Sequence, residues 1–369
     1  MRTSISDSFA VWRDLEGKMT IHFEFPDVLT PKMLDSYLAE GWFRMRQAVF
    51  TCRYVMGSGI LYTAVWIRVQ LPGFVFSRSL RKLKGRNSRT FRHQIGPMVF
   101  TDEHHRLYSC YRDNFHSDIS QTLDEALFDE EKDIFDSMIV NVYDGDKLIA
   151  FSIFDKGLTA LQGIKFAWDP DYAKHSLGLY TMILQVEYGQ KHGFEYYYPG
   201  YIAPGCSFFD YKTRFHPFEL WDPIQRSWLP GSQLDINGLP SNRMKAALSQ
   251  LQEELNSLGV DVSTHLYPPY RYIWDDRFDD CLKIPIFMML RPREHQNRTC
   301  MVVIWDVTID AFVVYECNVL NNLEDYMTPL AKVSGEPKPF YYLLRIKRQA
   351  ARSQFIQGIS SSIQLLLSR

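Results

Sequence analysis

The sequence has no Cys-x-x-Cys pair. Its six cysteines, Cys52, Cys110, Cys206, Cys281, Cys300 and Cys317, are scattered over 369 residues. Thiols spaced in this way predict neither a metal centre nor a disulfide framework, and they suit a reducing compartment, so a cytosolic location is expected. The net charge is only −2, so no overall field advertises a nucleic acid, and any such contact must be a local patch. No apolar run reaches the roughly 18 residues that span a membrane. The N-terminus lacks a basic-then-apolar signal segment. No repeat or low-complexity tract is present, and an aromatic content of 15% argues against disorder. What is there is 46% hydrophobic and long enough for two or three domains.

The stretch from Ser137 to Trp221 is the most patterned. Ser137 to Tyr143 alternates apolar and polar residues, and Lys147 to Phe154 and Leu161 to Trp168 are further β-rich runs. Asp144-Gly145-Asp146 and Asp155-Lys156-Gly157 stand between them, and short Gly-containing links of this kind predict hairpins. Asp169-Pro170 breaks the sheet. Ser176 then reads as an N-cap, Leu179, Met182, Ile183 and Val186 fall on one helical face, and Gly193 ends the helix. Glu195 to Tyr201 is the next strand. The order β-β-β-α-β predicts an α/β (α+β) fold with an acetyltransferase-like (GNAT) mixed sheet at its core, where a helix N-terminus faces the donor.

Flanking segments are simpler. Thr30-Pro31 opens a helix that carries Met33, Leu34, Tyr37 and Leu38 and closes at Gly41. Leu61 to Leu71 reads as a strand. Arg78, Arg81, Lys82, Lys84, Arg86, Arg89 and Arg92 put seven cations into fifteen residues without one acid. Such a run is ordinarily a solvated helix face; it is also a surface that neutralises phosphates without reading bases. Thr101 caps a helix with Leu107, Tyr108, Tyr111 and Phe115. His104 and His105 are neighbours on it, face different directions and read as surface residues, a poor metal pair. Ser241 caps a further helix with the stripe Met244, Leu248, Leu251, Leu255 and Leu258. Ile284 to Leu290, Met301 to Trp305 and Ala311 to Glu316 read as strands, and Arg345 to Leu367 as basic turns and a helix. These segments divide the chain into an N-terminal α/β domain with the basic segment (1–95), the acetyltransferase-like catalytic domain (96–232) and a helix plus β-rich extension (233–369).

Within the core lies a string of irregular residues: Trp168-Asp169-Pro170-Asp171, Ser176-Leu177-Gly178-Leu179-Tyr180, Tyr198-Pro199-Gly200-Tyr201, Cys206, Tyr211-Lys212 and Phe215-His216-Pro217. In order and spacing this string resembles the C-terminal domain of the aminoacyl-tRNA–protein transferases. That family includes eukaryotic arginyltransferases and the bacterial leucyltransferases that act on N-terminal Asp and Glu. The match runs without gaps from Gly200 to Pro217. Gly41-Trp42-Phe43-Arg44 and Ser77-Arg78-Ser79 resemble further pieces of the family. Leu107-Tyr108, Tyr111 and His116 follow its LYxxYxxxRH pattern, with Phe115 in place of the Arg. The last hundred or so residues lie outside the resemblance.

The resemblance implies transfer of leucine or arginine from an aminoacyl-tRNA to the N-terminal α-amine of polypeptides beginning with Asp or Glu, marking them for degradation. No cofactor, DNA or membrane is implied. The ester is already activated, and an α-amine with a pKa near about 8 is partly neutral at physiological pH, so positioning supplies most of the acceleration. On this reading Lys212, Tyr211, Tyr201 and Tyr198 are the catalytic candidates, with Lys212 either tethering the acceptor's carboxylate or serving as a structural ion-pair partner. Ser176, Leu177 and Gly178 open a helix whose free N–H groups suit an anion or a carbonyl oxygen. Arg214, Tyr108 and His116 complete the substrate site, and Arg78, Arg81, Lys82, Lys84 and Arg86 carry the tRNA. A leucine pocket would be apolar, and an arginine pocket would need an acid.

Several departures qualify the match. The family's clustered cysteines have no counterpart between Tyr54 and Trp66, so no metal is expected. His175 stands for an Arg, and Phe208 and Phe209 stand for a Lys and a Met. Two rival functions follow. An acyl-CoA-dependent N-acyltransferase would keep the fold, but His175 to Tyr180 does not form the Q/R-x-x-G-x-G/A phosphate loop it needs. A catalytically silent binder of tRNA or of degradation signals is favoured by the lost cysteines and the lost Lys.

Overall fold

The computed structural model describes residues 21–57, 59–115, 120–129, 132–273, 276–290, 299–326 and 337–368. Strand β1 (Ile21–Glu24) leads through helix α1 (Pro31–Ala39) to the hairpin β2 (Phe43–Met45) and β3 (Ala48–Cys52). A second hairpin, β4 (Tyr54–Gly57) and β5 (Ile60–Thr63), precedes β6 (Val65–Gln70), the basic helix α2 (Arg78–Thr90) and β7 (Arg92–Pro97). Helices α3 (Asp102–Asp113) and α4 (Leu123–Leu127) come before β8 (Ser137–Asp144), β9 (Lys147–Lys156), β10 (Ala160–Trp168), α5 (Leu177–Lys191) and β11 (Tyr196–Ile202). After β12 (Glu219–Asp222) and β13 (Ser227–Pro230) come α6 (Pro240–Ser257), β14 (Val262–Leu266), β15 (Ile286–Leu290), β16 (Thr299–Asp306) and β17 (Ala311–Asn322). The chain closes with β18 (Lys338–Pro339), β19 (Tyr342–Ser353) and α7 (Ile356–Leu367). Two compact units result. One is Phe23–Thr51 with Ala64–Leu234; the other takes in Cys52–Thr63 and Asp235–Arg369.

The first unit is built on an eight-stranded sheet in the order β13-β12-β6-β11-β10-β9-β8-β7. Short turns make β8, β9 and β10 antiparallel neighbours. Helix α5 then carries the chain across the sheet, and β11 lies parallel to β10, as a helical crossover requires. This is the acetyltransferase-like core that the sequence predicts, with boundaries displaced by one or two residues. Alternation sorts β8 between two faces. Met138, Val140 and Val142 pack with Tyr180, Ile183 and Val186 of α5, while Ile139 joins Leu107, Tyr108 and Tyr111 of α3 and Leu123 and Leu127 of α4.

Helix α5 is buried on more than its predicted stripe: Leu177, Gly178, Tyr180, Thr181, Leu184 and Gln185 are buried too. The reason is helix α2, which covers its outer side through buried Leu80 and a 3.0 Å hydrogen bond between Ser88 and the Tyr180 hydroxyl. Two polar locks hold the sheet to the N-terminal segment. Asp35 of α1 accepts hydrogen bonds from the N–H groups of Leu158, Thr159 and Ala160 and from the Thr159 hydroxyl, at 2.8–3.2 Å. Arg44 of β2 and Asp155 of β9 form an ion pair at 2.9 Å with both side chains fully buried. Asp155, which reads as a turn residue in the sequence, is thus part of the core.

Two local expectations differ. His104 is buried, not a surface residue. It occupies the third position of α3, reaches back to the Thr101 N–H and hydroxyl, and meets Asn141 Oδ1 at 3.0 Å. Its neighbour His105 turns outward, as adjacent helix positions must. Ser241 does not cap α6, because Pro240 already stands in the first turn. Ser241 instead exchanges hydrogen bonds with Thr63 of β5.

The second unit has a six-stranded sheet in the order β18-β14-β15-β16-β17-β19. Helix α6 contributes Met244, Leu248, Leu251 and Leu255 to its core, and α7 contributes Ile359 and Ile363. Hairpin β4–β5, which occupies the stretch where the resemblance places cysteines, adds Tyr54 and Leu61 to the same core. Among the described residues, no helix is long and apolar enough to cross a membrane.

Candidate active site

The site arises where two parallel strands part. β10 and β11 pair only from Ala160 to Gln162 against Tyr196 to Tyr198. Beyond that point both strands change register, β10 between Gly163 and Lys165 and β11 between Tyr197 and Gly200. Such bulges bend a strand and re-aim its side chains. The strands splay and leave a cavity of about 70 Å³. Ser152 and Ile153 of β9, Gly163, Ile164, Lys165 and Phe166 of β10, Met182 and Gln185 of α5, Tyr197 and Pro199 of β11, and Tyr211 and Lys212 line it.

One wall is a fixed hydrogen-bond chain. The Tyr197 hydroxyl donates to Gln185 Oε1 at 2.7 Å, and Gln185 Nε2 donates to Ser152 Oγ at 2.8 Å. Burial pushes the Tyr197 phenol far above its usual range, so it is a donor at every physiological pH. Position 163 has to be glycine here, since a Cβ would stand 2.7 Å from the Tyr197 hydroxyl.

The opposite wall holds Lys212. Its Nζ donates to the Tyr201 carbonyl at 2.7 Å and lies 5.2–5.9 Å from the ring centroids of Tyr201, Phe209 and Tyr211. Among the described residues, no carboxylate lines the cavity. Burial alone brings the Lys212 ammonium down from 10.5 to about 7. A second lysine, Lys165, projects from the bulge with its Nζ 5.4 Å from the centre of the Tyr108 ring, and burial lowers it to about 8. Two buried lysines whose ammonium groups burial lowers toward neutrality mark this cleft as a candidate site.

The other expected residues are distributed as follows. Tyr211 lines the cavity and Tyr201 stands beside Lys212. Tyr198 belongs elsewhere: its ring packs against Phe43 and Trp228, with Arg68 Nη1 at 3.4 Å from its hydroxyl. Tyr108 supplies the ring beneath Lys165, and its hydroxyl donates to the Ser120 carbonyl at 2.8 Å. Arg214 is exposed on the same segment as Lys212. His116 lies outside the described residues. Ser176 precedes α5 in a left-handed conformation (φ 51°) and makes no side-chain cap. Leu177 is buried, and Gly178 packs on Phe166 and Trp168. These three residues do not line the cavity; α5 reaches it one turn later, through Met182 and Gln185.

The basic helix divides by use. Lys84 pairs with Glu187 of α5. Arg86 donates to the carbonyls of Lys174 and His175 at 3.3 Å, and Asn87 donates to the His175 carbonyl at 2.8 Å. Arg81 donates to the Phe76 carbonyl. Arg78, Arg81, Lys82, Arg86 and Arg89 are exposed.

Sequence reasoning missed Lys165, Gln185, Tyr197 and the Arg44–Asp155 pair. For Lys165 a signal existed: a Gly two residues before a cation inside an apolar strand marks a bulge.

Comparison with known proteins agrees with this construction. Residues 103–222, which include the whole cavity lining, match the family model for the arginine-tRNA-protein transferase C terminus. The chain is 28% identical over 226 residues to an aspartate/glutamate leucyltransferase of Saccharophagus degradans, covering 57% of this chain and 88% of that protein. It is 29% identical over 217 residues to the enzyme of the same name from Helicobacter hepaticus, covering 56% and 86%. Among solved structures, the C-terminal domain of a putative lysylphosphatidylglycerol synthetase from Agrobacterium fabrum is similar at 14% identity, 52% and 64% coverage and a TM-score of 0.35. The sheet order, with β11 parallel to β10 after the α5 crossover, is that of a GNAT-like core. Within that core, residues 103–222 match the arginine-tRNA-protein transferase C terminus, and the chain is similar over more than half its length to aspartate/glutamate leucyltransferases.

Proposed function

We propose that this chain transfers leucine from leucyl-tRNA to the N-terminal α-amine of polypeptides that begin with Asp or Glu, in the cytosol, and so marks them for degradation. One observation carries the choice of amino acid: the twelve described residues that line the cavity include two lysines and no carboxylate. An arginine side chain would meet Lys165 there and find no carboxylate among these residues to pair with. Ile153, Ile164, Phe166 and Met182 instead offer a branched apolar side chain a surface worth roughly 25 cal/mol per Å² buried. The shared name of both relatives, aspartate/glutamate leucyltransferase, supports the same reading.

In the reaction the acceptor nitrogen attacks the ester carbonyl, an amide bond forms, and the carbon–oxygen bond to the ribose breaks. The amine loses a proton and the departing ribose oxygen gains one. Lys212, brought to about 7 by burial, takes that proton in its neutral form and returns it to the ribose oxygen. A base poised near the operating pH suits both halves of the transfer. Tyr211 and Tyr201 hold Lys212 between their rings, and the exposed cations of α2 meet tRNA phosphates.

The test is calorimetric titration with hydrolysis-resistant amide analogues of leucyl-adenosine and arginyl-adenosine, and with acetyl-CoA. The leucyl compound is expected to bind at least ten-fold more tightly than the arginyl one, and acetyl-CoA not to bind. Tighter binding of the arginyl compound or of acetyl-CoA overturns the reading.

A further inference from the structure

The two lysines of the cleft are not equivalent. Lys212 already donates to the Tyr201 carbonyl and stands among three aromatic rings. Lys165 has no hydrogen bond or ion pair among the described residues; its one contact of this kind is the face of Tyr108. Among the described residues, no acid lines the cavity to balance it. The register slip between Gly163 and Lys165 aims this cation into the cleft at the level where β10 and β11 part. A cation withdrawn from water without a counter-ion is costly until an anion arrives, and a substrate carboxylate would supply one.

We infer that Lys165 binds the side-chain carboxylate of the acceptor's first residue and so sets the preference for Asp and Glu. Lys165 lies within a cleft walled by β9, β10, α5 and β11, a setting that suits a carboxylate on a short side chain better than a phosphodiester backbone, whose path requires an open groove. Among the described residues, Lys212 is the other cation that lines the cleft. Phe115 and Phe208 meet edge to face at 5.4 Å, and Phe208 packs on Phe209 at 5.1 Å, so among the described residues that side presents rings. This assignment rests on the reading that the acceptor is a polypeptide N-terminus, and it leaves Lys212 free to handle the proton.

The experiment uses the full chain, labelled leucyl-tRNA and three peptides that differ only in a first residue of Asp, Asn or Lys. Lys165→Met, Lys165→Gln and Lys165→Glu are compared with the wild type after matched thermal melts. In parallel, fluorescence anisotropy measures binding of the same peptides without tRNA. The Asp-over-Asn ratio, in kcat/KM and in affinity, is expected to fall at least ten-fold in Lys165→Met and Lys165→Gln. Lys165→Glu is expected to shift preference toward the Lys peptide. An unchanged Asp-over-Asn ratio in both neutral variants overturns the inference. So does a wild type that binds the Asp and Asn peptides equally, or a loss confined to leucyl-tRNA affinity, which would assign Lys165 to the nucleic acid. If the wild type transfers nothing but its preference for the Asp peptide still depends on Lys165, the inference stands and the transfer reading falls.

Discussion

The ammonium of Lys212 fills the space that a side chain on Gly200 would take. A Cβ built on Gly200 stands 3.1 Å from Lys212 Nζ, and Gly200 itself holds a φ of +94° that side-chain-bearing residues rarely adopt. The bend of β11 and the seat of the lysine are therefore one feature. Gly200→Ala is expected to cost about 1–3 kcal/mol through the backbone alone and to displace Lys212, lowering kcat more than it raises KM. Wild-type kcat in a stable, folded Gly200→Ala protein would separate the lysine from the chemistry.

Stability should also report on Lys212. Its ammonium titrates near 7 in the folded chain and near 10.5 when unfolded. Below pH 7 both states are protonated and the folded state bears the full cost of the buried charge. Between those values the unfolded chain binds the extra proton, so raising the pH favours folding. Relative to Lys212→Met, the wild type should gain a few kcal/mol, roughly 3–5, between pH 6 and pH 10. Urea titrations at several pH values measure this; parallel curves for the two proteins would contradict it.

Arg44 and Asp155 test the frame that holds the cleft. Arg44 donates to Asp155, to Ser137 Oγ and to the Leu127 carbonyl at 2.8–2.9 Å. Arg44→Met strands a buried carboxylate and should cost about 3–5 kcal/mol, much of it recovered when Asp155 is also made apolar. A loss below about 1 kcal/mol, the range of an exposed pair, would show that the pair is hydrated in solution.

For the tRNA, the cations of α2 should divide as the structure divides them. Arg78, Lys82 and Arg89 are exposed, whereas Lys84 is paired with Glu187. The triple alanine variant of the first three should lower the slope of log affinity against log salt by about 0.7–0.9 per residue, with no change in melting temperature. Lys84→Ala should leave the slope nearly intact. The reverse pattern would move the phosphate contacts to the α5 side of the helix.

How much of this was legible in the sequence follows from which interactions are local. Strands β8 to β10, helix α5 and β11 announce themselves because alternation, turn residues and helical spacing act over a few positions. Tyr211 and Lys212, which line the cleft, stand in the gap-free stretch from Gly200 to Pro217, where a local string of residues is enough to single them out. Lys165 stayed hidden because a bulge changes the direction of a side chain without changing the composition of the strand. Asp155 was hidden because its partner Arg44 lies 111 positions away, and Asp-Lys-Gly reads locally as a turn. Tyr54 and Leu61 belong to a core otherwise formed after residue 235, a pairing that no local pattern carries. Ser176 shows the converse. Its type and place suit an N-cap, yet a left-handed backbone and the packing of Gly178 on Phe166 turn that helix end inward.

The central claim is aminoacyl transfer at the cleft between β10 and β11, and intact-mass measurement of an acceptor peptide tests it most directly. A peptide beginning with Asp is incubated with the protein and either leucyl-tRNA or arginyl-tRNA, at pH 6 to 9. The account predicts a mass gain of one leucyl residue on the α-amine, no arginyl product, and a rate that climbs as Lys212 loses its proton near pH 7. An arginyl adduct, or a leucyl adduct formed equally well by Lys212→Met, would contradict it.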